Sequence, residues 1–223
     1  MPDFTYERKA GVGEGRIVIG IDEAGRGPLA GPVVAAAVLL DFRKFPRSLR
    51  TKVDDSKKLT PEMRAHLYDR LQNHAQIGVG MASCIEIDRI NILRASLLAM
   101  RRALDALGLI PDHALVDGTV RPDLPCSSTL IIEGDGKSFS VAAASIVAKI
   151  AYFSISAMLA PGMRTPSVVS GIASNGSASG STLSPSVNTT ARSIAFSSSR
   201  TLPGQRWAMS LVRAAALKPS IWR

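Results

Sequence analysis

Acidic residues run out two thirds of the way along this chain of 223 residues: from Ala151 to Arg223 there are seven Lys or Arg and no Asp or Glu. Cysteine is nearly absent too. Cys84 and Cys126 stand far apart without ligand-like neighbours, which excludes a disulfide framework and disfavours a structural zinc site. Free thiols in a reducing cytoplasm are the expected state. No unbroken apolar run reaches the roughly 18 residues that span a bilayer. The stretch Met1–Gly15 mixes charges with glycine, unlike a secretory signal. A cytoplasmic protein with no membrane partner is therefore expected. The net charge of +9 invites a nucleic-acid reading, but residues 1–150 hold 20 basic and 18 acidic residues, so the excess sits mainly in the tail.

What is present up to residue 150 alternates between strand and helix signals. Arg16–Asp22 and Val33–Leu40 are short apolar runs, the second set off by Gly31-Pro32. Thr60-Pro61 suits an N-cap and first helical residue for a helix to about Asn73. Ile77–Ser83 suits a strand. Ile90, Leu93, Leu97, Met100, Leu104 and Leu107 recur at helical spacing, and Gly108 closes that helix. His113–Asp117 and Thr129–Glu133 follow as strands, and Ser138–Ile150 as a buried helix. Such an alternation predicts an α/β domain with a central mixed sheet flanked by helices. Residues 151–223 break the pattern, with sixteen serines and no period. Two readings stay open there: a disordered low-complexity extension, or a reading frame that slips near Ile150.

Four acids stand where strands end or turns begin: Asp22, Glu23, Asp117 and Asp135. Taken singly, Asp117-Gly118 and Asp135-Gly136 are turn signals and Asp22-Glu23 could cap a helix. Taken together they suit phosphodiester hydrolysis. That reaction must bring a nucleophile to an anionic phosphorus and stabilise the leaving oxygen, which two divalent ions can do. Mg²⁺ takes oxygen ligands, so clustered carboxylates are the donors it needs. Next to the first acids, Gly25 and Gly27 allow close backbone approach to a sugar or phosphate, and Arg26 adds a fork of donors. Lys57 and Lys58 could contact phosphates or simply be solvated. Asp54, Asp55, Asp88 and Asp112 read as solvated or capping residues.

The string GIDEAGRGPLAGPVVAAAV resembles the opening of ribonuclease HII, a type 2 ribonuclease H. The resemblance continues in register through DDSKKLT, LVDG at Leu115–Gly118 and EGDGKSFSVAAASIVAK at Glu133–Lys149. It implies a ribonuclease-H-like fold, a mixed sheet flanked by helices, and a monomer. It also implies hydrolysis of RNA in RNA/DNA hybrid duplexes and at ribonucleotides embedded in DNA, with Mg²⁺ or Mn²⁺ in a two-metal site, leaving 5′-phosphate and 3′-hydroxyl ends. On this resemblance the metal-binding, catalytic acids are Asp22, Glu23, Asp117 and Asp135. Gly25, Arg26 and Gly27 read the ribose 2′-hydroxyl. Lys57, Lys58, Ser138 and Lys149 fall near the substrate path.

The resemblance divides the chain into a catalytic core, 1–150, and a Ser-rich basic tail, 151–223, that lacks the family's motifs. After SIVAK the family carries a charged helix, a segment with a tyrosine that stacks at the RNA–DNA junction, and further helices. This chain's three tyrosines are Tyr6, Tyr68 and Tyr152, the last too early to be that residue, and its three histidines all precede Ala114. The alternative is therefore an inactive or binding-only product that lacks its C-terminal substrate-binding region.

Overall fold

The computed structural model describes residues 2–27, 31–42, 45, 46, 49, 53 and 60–159. Five strands form one sheet: β1 (Val18–Ala24), β2 (Val33–Leu40), β3 (Ala75–Ala82), β4 (His113–Asp117) and β5 (Ser127–Ile131), in the order β3-β2-β1-β4-β5. β1 pairs antiparallel with β2, and β2 with β3. On the other side β1 pairs parallel with β4, and β4 with β5. The helices are α1 (Thr5–Lys9), α2 (Pro61–Leu71), α3 (Cys84–Leu107) and α4 (Phe139–Leu159). The mixed sheet flanked by helices is the architecture expected from the sequence.

Apolar cores cover both faces of the sheet. Strand alternation sends Ile19, Ile21, Val33, Ala35, Ala37, Ala114 and Val116 toward α3, where Ala95, Ala99, Met100, Ala103 and Leu104 meet them. Ala36, Val38 and Leu40 point the other way, to a core built with α2 and α4. α4 lies so close to β1 that a Cβ on Gly20 would collide with the backbone of Ser140. α3 lies equally close to β3, because Cβ atoms on Gly78 and Gly80 would collide with its backbone around Ala99, Ala103 and Leu107.

Local chemistry accounts for the helix ends. Thr60 caps α2 by accepting from the Met63 amide, with Pro61 at the first helical position as expected. Gly108 ends α3 in a left-handed conformation. α3 begins earlier than its apolar period suggests, at a capping box: Ser83 accepts from the Glu86 amide, and the Glu86 side chain accepts from the Ser83 amide. Its helical geometry breaks at Asn91 (φ 69°), whose side chain accepts from the Arg94 amide and restarts the helix.

α4 runs past Ile150 to Leu159, so the ordered core does not stop at the composition break. Averaged over the 19 residues Phe139–Ala157 it has a mean hydropathy of 1.6, long and apolar enough to cross a membrane by length and composition. The sequence predicted no apolar run of that length. Within the protein 67% of that stretch is buried, as a core helix would be.

The α3 start also carries a charge effect. Glu86 accepts from Arg102 at 2.7 Å as well as from Ser83, and the Arg102 guanidinium foremost holds its carboxyl down at about 2. A carboxylate depressed in this way stabilises the fold above its ordinary value of 4.5 and loses that contribution as pH falls toward 2. Both side chains are partly solvated, which keeps the effect small. Glu86→Gln is expected to cost about 1 kcal/mol at pH 7. The gap should close between pH 4.5 and 2, and urea unfolding of both proteins across that range checks it; a pH-independent gap would show that the charge contributes nothing.

Candidate active site

Parallel pairing of β1 with β4 matches Gly20 with Leu115 and Ile21 with Val116, so the next residues, Asp22 and Asp117, stand side by side. They follow the alternation of Val18–Gly20 and His113–Leu115 and therefore share the α4 face of the sheet. Asp22 is 4% exposed, and Asp117 is half-buried at the end of its strand. Glu23 leaves β1 on the opposite side of the strand, which spreads two adjacent carboxylates apart. Asp135 is buried in the 3₁₀ turn Gly134–Gly136 that leads into α4. That turn is tied to the strand end, because the Gly134 amide donates to Asp117 Oδ1 at 2.7 Å. Asp22, Glu23 and Asp117 thus lie near one another, and Asp135 follows in the turn that Gly134 ties to Asp117.

Like charges this close disturb one another. Burial pushes the Asp22 carboxyl well above the usual carboxylate range, and the charges of Glu23 and Asp117 push it the same way. A hydrogen bond from the Ser145 hydroxyl and another from the Glu23 amide, the latter 2.7 Å from Oδ1, pull against that shift. Glu23 is raised as well, chiefly by burial, with Arg26 opposing and Asp117 adding to the rise. Glu23 Oε1 accepts from Arg26 at 3.1 Å, while its Oε2 is buried without a partner among the described residues. A buried carboxylate oxygen left unpaired is costly, and a hard cation is the partner that carboxylate oxygens satisfy best. Among the described residues no three Asp, Glu, His or Cys side chains stand close enough together to hold one ion as they are.

The glycine-arginine-glycine run follows directly. Gly25 has φ +99°, a conformation that suits glycine, and a Cβ there would press on the Pro32 carbonyl oxygen (2.5 Å) and the Tyr152 ring (2.9 Å). Gly27 faces open space, and Arg26 is exposed apart from its ion pair with Glu23. The turn is therefore packed on one side and accessible on the other.

Of the remaining sequence candidates, Lys149 is half-buried on α4, and Lys57 and Lys58 lie outside the described residues. So do Asp54, Asp55 and the tail beyond Leu159. Ser138 is a correction: it is wholly buried, and its hydroxyl donates to Glu7 Oε1 at 2.7 Å, leaving it no surface to offer a substrate. Asp112 takes a capping role, accepting from the Ile17 amide at 2.7 Å. Sequence reasoning gave no role to Ser145 or Glu7. Ser145 sits in an alanine-rich run that reads as plain core, and Glu7 in an N-terminal stretch with no period. Only their distant partners reveal them.

Comparison with known proteins agrees with this geometry. The family model described as Ribonuclease HII matches residues 19–179. A ribonuclease HII of Paramagnetospirillum magneticum is 55% identical over 150 residues, covering 67% of this chain and 73% of that protein. Among solved structures, the ribonuclease H2 of Pyrococcus horikoshii OT3 superposes with a TM-score of 0.56 at 30% identity, over 64% of this chain and 74% of its own. Bst-RNase HIII, solved in complex with Mn²⁺, shares the fold with a TM-score of 0.57 at 22% identity, over 65% of this chain and 54% of its own. The strand-end carboxylates, the fold that gathers them and these relatives agree: the chain belongs to the ribonuclease HII family, metal-dependent endoribonucleases that act on the RNA of RNA/DNA hybrids.

Proposed function

We propose that this chain cleaves RNA/DNA hybrids and also DNA duplexes with embedded ribonucleotides, by a two-metal mechanism in which Asp22, Glu23, Asp117 and Asp135 hold Mg²⁺ or Mn²⁺. The observation that carries the reading is the strand pairing that sets the buried Asp22 beside the half-buried Asp117, with Glu23 next to them and its Oε2 without a partner among the described residues. When bound, divalent cations supply Lewis acidity, favouring deprotonation of the attacking water and offsetting charge on the leaving oxygen. The chain's own residues do the holding. Ser145 and the Glu23 amide fix Asp22, and the Gly134 amide fixes Asp117, so the donors are set before substrate arrives. The exposed Arg26 and the open side of the Gly25–Gly27 turn suit a ribose, whose 2′-hydroxyl separates RNA from DNA. In the hydrolysis the water oxygen joins phosphorus and the bond to the 3′-oxygen breaks. That oxygen takes up a proton, leaving 5′-phosphate and 3′-hydroxyl ends. The protein works as a cytoplasmic monomer in this reading.

The decisive assay gives the purified protein Mg²⁺ or Mn²⁺ and a DNA duplex with one ribonucleotide, beside a full hybrid, with Asp117→Asn as control. Nicking by the wild type, lowered about 100-fold or more in the variant, is expected, since even outer-shell changes at metal sites cost about 10–100-fold. A folded wild type that binds either duplex without nicking it would favour a binding-only protein.

A second test reads stability. Asp22 is raised in the folded state, so it binds its proton more tightly there than in the unfolded chain, and metal-free stability should fall as pH rises above the ordinary Asp value of 3.8. Asp22→Asn removes that repulsion. The variant should melt higher than wild type in EDTA at pH 7, and gain less from added Mn²⁺. Equal melting in EDTA at pH 7 would mean that the cluster carries no such strain.

A further inference from the structure

Glu7 is the most deeply buried acid of the described residues, at 0% exposure, and it lies on α1, outside every segment that carries the family's motifs. Its Oε1 accepts from the Ser138 hydroxyl and from the Ser140 amide, both at 2.7 Å. Ser138 Oγ in turn accepts from the Val141 amide at 3.3 Å. Glu7 and Ser138 therefore share the orphan amides at the start of α4. The backbone laces the same point: the Asp3 amide donates to the Lys137 carbonyl, and the Phe139 amide donates to the Asp3 carbonyl. The Ser138 amide closes the turn by donating to the Gly134 carbonyl at 2.8 Å.

What this joint holds is the active edge. The Gly134–Gly136 turn carries Asp135 and donates to Asp117, and one face of α4 carries the Ser145 that donates to Asp22. A serine cap alone would end α4 adequately. Glu7 adds a buried carboxylate whose second oxygen, Oε2, has no partner among the described residues, which is unfavourable. A group retained at that cost, 131 residues away in sequence from the serine it grips, points to a requirement for position rather than for stability.

We propose that Glu7 is a positioning residue: by clamping Ser138 and the first turn of α4 it sets the Asp135 turn and Ser145 against Asp22 and Asp117, and so tunes divalent-cation affinity. The proposal rests on the metal reading above. The experiment measures Mn²⁺ binding by calorimetry to the full chain and its Glu7→Ala, Glu7→Gln and Ser138→Ala variants, with amide hydrogen exchange on each. Glu7→Ala is expected to weaken Mn²⁺ binding about 10-fold or more, the range of outer-shell losses. It should also speed exchange at Ser138, Ser140 and Val141 while the β1 and β4 amides stay protected. Glu7→Gln, which keeps an accepting oxygen, should recover most of the affinity. If Glu7→Ala does not fold, Ser138→Ala, which leaves the bond from Ser140, should still show weaker binding and local loosening. Unchanged Mn²⁺ affinity in a folded Glu7→Ala or Ser138→Ala would overturn the proposal, even with lowered stability. No Mn²⁺ binding by the wild type would instead overturn the metal reading beneath it.

Discussion

Two carboxylates held side by side on neighbouring parallel strands, one of them almost fully buried, are the constraint around which the rest of this molecule is arranged. Asp22 and Asp117 are adjacent because β1 and β4 pair in parallel, and no turn or helix could bring them together from such distant points in the chain. Their repulsion, added to burial, works against the fold. The structure offsets it locally, with hydrogen bonds to Asp22 from Ser145 and to Asp117 from the Gly134 amide.

The offset depends on depth. Ser145 reaches Asp22 because α4 lies hard against β1, and it can do so because Gly20 has no side chain to hold it off. The glycines of β3 do the same for α3 on the other face, where an alanine stripe replaces the larger side chains that a looser packing would use. Both helices are thus seated by what the strands lack. Interiors packed at this density respond to a single added methyl, so the geometry at Asp22 is set partly by a residue that never touches it.

This explains which parts the sequence could reveal. β2 and β4 were legible to the residue, because their apolar runs are bounded by turn signals. The cap of α2 was legible because Thr-Pro acts through adjacent atoms. The buried face of α3 was legible in its large residues, since Met100 and Leu104 are core and Ile90, Leu97 and Leu107 pack against it, with Leu93 the exception at 38% exposure. Its alanines, Ala95, Ala99 and Ala103, complete that face where the glycines of β3 demand small partners, and a period of large residues does not reveal them. The four acids were legible from motif and strand-end position. Ser145 and Glu7 were not, since their roles depend on contacts far along the chain. Ser138, legible only as part of a motif, was assigned to substrate when its partner lies inside.

Arg26 shows how the two halves of the site bear on each other. It is the exposed member of the glycine-arginine-glycine turn, and it also pairs with Glu23 Oε1. The same exposed guanidinium therefore favours the ionised form of a carboxylate in the acid cluster, while the other oxygen of that carboxylate has no partner among the described residues. Arg26 opposes the rise that burial imposes on Glu23, so taking the guanidinium away would move that carboxyl further toward its neutral form and leave the acid cluster with less charge.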